Sequence, residues 1–147
     1  MKKFQFKLAR VLDIRSLQED ISRNHLLQEK NKAKKVEREL EQLNSRQEDL
    51  YHYIRKQDSI TTVGRIQANH YLHFQRQQIK QVEGVLSTQQ EEVDKCHADF
   101  CEKRKKREIL EWLKDKDYRQ YRQDLLRKEQ QIVDEISQRL KGGGWFE

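Results

Sequence analysis

The sequence predicts an all-α fold, an elongated antiparallel two-helix coiled coil whose C-terminal helix overhangs its partner. Three observations carry this. The 147 residues contain no proline, 38% of them are charged against 34% hydrophobic, and apolar side chains recur at alternating steps of four and three along two long stretches. A mean hydropathy of -1.17 leaves too little apolar surface for a thick core. Two helices sharing one narrow seam need much less.

The first helix is expected over about 4–57. Its seam runs through Leu8, Leu12, Arg15, Glu19, Ser22, Leu26, Glu29, Ala33, Val36, Leu40, Leu43, Gln47, Leu50 and Ile54. A connection is expected over 58–64, where Ser59, Ile60, Thr61, Thr62, Val63 and Gly64 combine β-branched and turn-forming residues. The second helix is expected over about 65–140, with Ala68, Leu72, Gln75, Ile79, Val82, Leu86, Gln89, Val93, Cys96, Phe100, Lys103, Arg107 and Leu110 on its seam. Gly84 falls inside this pattern and costs about 1 kcal/mol relative to alanine without ending the helix. Gly142, Gly143 and Gly144 release a tail over 141–147 that carries Trp145 and Phe146. The whole chain, 1–147, then forms a single coiled-coil domain.

Folding at the connection matches the two seams in one register. Leu50 meets Leu72, Leu43 meets Ile79, Leu26 meets Cys96 and Leu12 meets Leu110. Ser22 opposite Phe100 sets a small residue against a large one. Arg15 opposite Arg107 sets like charges together, which Glu19 on the diagonal offsets in part. At 1.5 Å per residue the helices span about 80 Å and about 114 Å. Phe4 then reaches only as far as Tyr118, and the second helix beyond Tyr121 has no partner within the chain. That overhang nevertheless carries Leu125, Ile132, Ile136 and Leu140 as an apolar stripe, with Leu126 and Val133 beside it. A lone helix of ~20 residues is marginal in water, so the stripe reads as a docking surface; self-association or a frayed end is the alternative. Near the connection Tyr71 and Phe74 lie off the second seam, Tyr51 and Tyr53 flank the first, and Ile60 and Val63 sit in the connection itself, either as a contact surface or as a cover for the end of the seam.

The charge balance of +6 favours anionic partners. The run from Lys103 to Arg107 reads as a solvated helix face, or as a contact for phosphate or lipid. Cys96 and Cys101 stand about 140° apart on one helix and cannot pair with each other. No Walker loop or Ser-His-Asp arrangement is implied, and two helices offer no enclosed pocket, so neither enzymatic activity nor a cofactor is expected. Nucleic-acid binding is not expected either, because base-stacking platforms normally sit on sheets. Nothing in the chain reads as a membrane span or signal peptide, which implies a soluble, cytoplasmic protein.

The opening Phe4-x-Phe6-x-Leu8-x-x-Val11-Leu12-x-x-Arg15, the pair Tyr71-x-x-Phe74 and the stretch from Lys103 to Leu140, with Lys128-Glu129-Gln130 before Asp134-Glu135-Ile136, resemble the FliJ family of flagellar type III export proteins. The resemblance covers nearly the whole chain. It implies an antiparallel coiled coil similar to the γ stalk of rotary ATPases, inserted into the ring of the export ATPase FliI and promoting its assembly and activity. It also implies contacts with the export gate FlhA, further partners in FliH and export chaperones, and a place at the inner face of the cell membrane at the flagellar base, reached through partners. By motif, Tyr71 and Phe74 would face the gate, joined by their neighbours Leu50 and Tyr53. By position, Arg10, Arg15, Leu125, Ile132 and Ile136 would face the ATPase ring. A coiled-coil adaptor or secretion chaperone without ATPase coupling is the competing reading.

Overall fold

The computed structural model describes residues 2–57 and 59–143. Trp145 and Phe146, expected on a released tail, lie outside the described residues, as does Asp58 of the connection. Two helices follow one another, α1 over Ala9–Lys56 and α2 over Thr62–Gly142. No strand occurs among the described residues.

Both helix starts differ from the expected ones, each for a local reason. Residues 4 to 8 are not helical, and α1 begins five residues later than expected, at Ala9. Phe4 and Phe6 share a side only in extended backbone, since positions i and i+2 do not face the same way on a helix. Phe6 is buried and Phe4 half-buried. The Ala9 N–H donates to the Phe6 carbonyl at 3.2 Å as the first turn closes. The second start comes early because Thr61 caps it. Its hydroxyl accepts from the Gly64 N–H at 3.2 Å and its carbonyl from the Arg65 N–H at 3.0 Å. This places Thr62, Val63 and Gly64 in the first turn rather than in the connection. A Cβ on Gly64 would come within 3.1 Å of Ile60 Cγ2 and 3.2 Å of the capping hydroxyl, so glycine keeps the cap open.

Contacts divide the chain into two units, one built from Asp20–Glu102 and the other from Met1–Glu19 with Lys103–Glu147. In the first, α1 and α2 pair antiparallel as a coiled-coil hairpin. Leu26, Ala33, Leu72, Ile79 and Cys96 are buried along the seam, and among the described residues no large side chain is fully enclosed. Polar residues enter the seam where they find partners. Gln89 Nε2 donates to Glu29 at its carboxylate, 2.5 Å, and at its backbone carbonyl, 3.2 Å. The Ser22 hydroxyl donates to Asp99 at 3.0 Å, and the Arg23 guanidinium lies over the Phe100 ring. These partners are those the heptad register sets opposite or one layer apart. Gln75 is buried with its side-chain carbonyl unpaired.

In the second unit the pairing is again antiparallel. The Arg107 guanidinium donates to the carboxylate of Glu19, which is buried to 3% exposure. Phe4 packs edge-on against Tyr118, ring centroids 5.3 Å apart, and tilted against Tyr121 at 5.5 Å. The Tyr121 hydroxyl donates to the Lys2 carbonyl at 2.9 Å. Leu125 is half-buried, and from Leu126 to Gly143 every residue is exposed.

Candidate contact surfaces

Two sets of apolar side chains face solvent, one in each unit. In the hairpin unit, Tyr53, Val63, Ile66, Tyr71 and Phe74 are each more than half exposed near the connection. Their exposure follows from the heptad. The seam positions Ala68, Leu72 and Gln75 take the inner face of α2, and Val63, Ile66 and Phe74 fall on its outer face. Leu50 is half-buried as a seam residue, whereas Tyr53 stands out from α1 with its hydroxyl accepting from Gln57 at 2.7 Å. Tyr51 is half-buried, and its hydroxyl accepts from Arg76 at 2.7 Å, tying the last turns of α1 to α2. Spacing places Val63 in the connection as part of this tip but does not single out Ile66, because it starts the second helix only at Arg65. The Thr61 cap was the available signal.

In the second unit the surface is the part of α2 after Leu125. Leu126, Ile132, Val133, Ile136 and Leu140 are all more than half exposed. Both isoleucines expected to dock, Ile132 and Ile136, are therefore open to solvent, while Leu125 lies where contact with the N-terminal segment ends. Arg10 is exposed and Arg15 half-buried, its guanidinium donating to Gln18 at 3.3 Å. Arg107 escapes the like-charge conflict with Arg15 through two carboxylates, Glu19 and Glu111, the latter at 2.7 Å. Those hydrogen bonds, Glu19 first, hold its pKa above the usual guanidinium value.

The basic run is largely engaged within the protein. Arg104 pairs with Glu108 at 2.9 Å, Arg107 turns to the seam, and Lys103 and Lys106 are half-buried. Among the described residues no group of three or more His, Cys, Asp or Glu side chains is placed to hold a metal ion. None of the helices, over those residues, is long and apolar enough to cross a membrane. Burial pushes the Cys96 thiol pKa up, with the charges of Glu29, Glu92 and Asp99 adding to it.

A helical hairpin with polar, paired seam layers and open apolar faces defines a class of protein that works by contact with other proteins. Within that class the chain belongs to the FliJ family, matching over residues 4–143 the family model described as Flagellar FliJ protein. No curated protein and no solved structure matches it. Membership makes it a component of the flagellar protein-export apparatus.

Proposed function

We propose that the chain acts as the central stalk of the export ATPase ring, promoting the assembly and turnover of FliI without performing chemistry itself. The observation that carries this reading is the unpartnered row Leu126, Ile132, Val133, Ile136 and Leu140 at the end of α2. An apolar row exposed along several helical turns is costly to leave in water and gains most by entering another protein. Arg10 and Arg15 would flank the entry, and Leu125 would mark its limit. One asymmetric helix end inside a ring of identical subunits contacts each of them differently. Its binding free energy therefore differs among subunit conformations, and that difference couples its position to nucleotide turnover.

The opposite role, contact with the export gate FlhA, falls in this reading to the hairpin unit's open face of Tyr53, Tyr71 and Phe74, with Leu50 supporting it from the seam. FliH and export chaperones are further proposed partners, and attachment to the inner face of the cell membrane would come through them. The decisive experiment deletes the residues after Gln123. ATPase stimulation by the shortened chain is expected to vanish while its circular-dichroism spectrum keeps the remaining helix. Unchanged stimulation would remove the stalk role and leave an adaptor or secretion chaperone.

A further inference from the structure

We propose that the outer face of α2 between Lys105 and Arg119 docks an acidic amphipathic helix of a partner protein. This surface is separate from the two assigned above, and its test does not depend on them.

The face is a second heptad row. Lys105, Ile109, Trp112, Lys116 and Arg119 follow one another at steps of four, three, four and three, the spacing a helix uses to present one seam to another helix. Leu110 and Arg107 occupy the inner seam, and Trp112 is turned about 200° from Leu110 at 100° per residue, to the opposite side. Ile109 is 59% exposed and Trp112 60%. A shallow cleft is lined by Lys105, Glu108, Ile109 and Trp112. Two large apolar side chains thus sit at the centre of the row with cations at both ends.

Those cations are uncompensated. Lys105, Lys116 and Arg119 form no ion pair among the described residues, although acidic neighbours stand close. Glu108 is taken by Arg104 and Glu111 by Arg107. The Lys116 ammonium instead lies 5.4 Å from the centroid of the Trp112 ring, a cation–π contact that keeps the charge beside the apolar centre. From Lys103 to Gln123 the helix carries nine Lys and Arg against four Asp and Glu. The complement is a helix with apolar residues on one stripe and carboxylates flanking it.

The same features disfavour other occupants. A second copy would bring Lys105 against Arg119 in an antiparallel pairing, or each cation against itself in a parallel one. A bilayer needs an apolar face broader than two residues. The phosphates of a nucleic acid would match the cations but leave the Ile109 side chain uncovered.

The test uses the full chain with Trp145→Phe, so that Trp112 is the sole emitter of the two tryptophans. The probe is a synthetic helix of about three heptads with leucine on its seam and glutamate beside it. Saturable binding with a blue shift of Trp112 emission is expected. Lys105→Glu with Lys116→Glu should weaken it at least about tenfold at unchanged helicity. A milder Lys116→Gln variant should weaken it less and covers the case in which the double variant does not fold. The same peptide with lysine for glutamate, phosphatidylglycerol vesicles and a single-stranded oligonucleotide should leave the emission unmoved. No shift with the acidic helix, an equal shift with the basic one, a response only to vesicles or oligonucleotide, or indifference to charge reversal would each overturn the proposal.

Discussion

Arg107 reaches Glu19 across 88 positions of sequence, and the carboxylate it meets is nearly sealed from solvent while the guanidinium keeps one edge on Glu111. A charge in so thin a seam is tolerable only because its partner is already in place. Glu19→Ala should therefore cost about 1–3 kcal/mol, since it strands a partly buried guanidinium that Glu111 satisfies only in part. Replacing both, Glu19→Leu with Arg107→Leu, is expected to restore stability to the wild-type level or above. Urea denaturation followed by circular dichroism measures both. A double variant weaker than Glu19→Ala would show that the pair adds net stability.

Glu29 ties acid stability to the hairpin unit. Its carboxylate is held below the ordinary carboxylate range, first by the hydrogen bond from Gln89 and next by that from Lys32 at 3.1 Å. A carboxylate with a lowered folded pKa contributes stability that is complete above its unfolded pKa and is lost as pH falls through the folded one. Wild type should therefore lose more stability than Glu29→Gln between neutral pH and the acid side of the carboxylate range. The readout is the difference between their urea midpoints across pH, which cancels the titration of the other carboxylates. Parallel curves would exclude this linkage.

Two glycines of α2, Gly64 and Gly84, should respond oppositely to alanine. Gly84 lies in the middle of α2 with nothing within 4 Å of an added Cβ, so Gly84→Ala should stabilise by about 1 kcal/mol. At Gly64 the added Cβ meets Ile60 and the Thr61 hydroxyl, both within 3.2 Å. The helical gain is then set against a disturbed cap, whose loss costs about 1 kcal/mol. Thermal melts separate the cases: Tm rises for Gly84→Ala and stays level or falls for Gly64→Ala. A rise of equal size in both would mean that the Thr61 cap contributes nothing.

The coiled-coil class and its seams were legible because heptad spacing is a property of sequence. Of the seam positions named from spacing, Leu8 alone is exposed, and the others are buried or half-buried. Leu8 failed because it precedes the helix. A helical period carried back to the Phe-x-Phe pair misses that a spacing of two favours extended backbone. β-Branching marks Thr61 and Thr62 as loop formers, but threonine ahead of a helix is also a cap. The open surfaces were legible only in part. Spacing puts Tyr71 and Phe74 off the seam, but it does not say which lysines find carboxylates. The exposed row around Trp112 emerges only once Arg104 and Arg107 are seen to have taken the nearby acids.

Tyr71 and Phe74 put the proposed gate-facing surface to the test. Both rings are more than half exposed, and the neighbouring seam residues Leu72 and Gln75 bury the inner face of the same turns. Tyr71→Ala with Phe74→Ala should therefore leave helicity and urea midpoint nearly unchanged, because truncating exposed rings away from a seam removes little buried area. Leu72→Ala on the inner face should cost about 2–4 kcal/mol as a packing control. If the outer rings meet the export gate, the double variant should weaken binding to the soluble portion of FlhA by at least about tenfold, because buried aromatic side chains dominate interfaces. Full binding by the double variant would move the gate contact elsewhere. A loss of circular-dichroism signal would instead show that the two rings hold the hairpin end together.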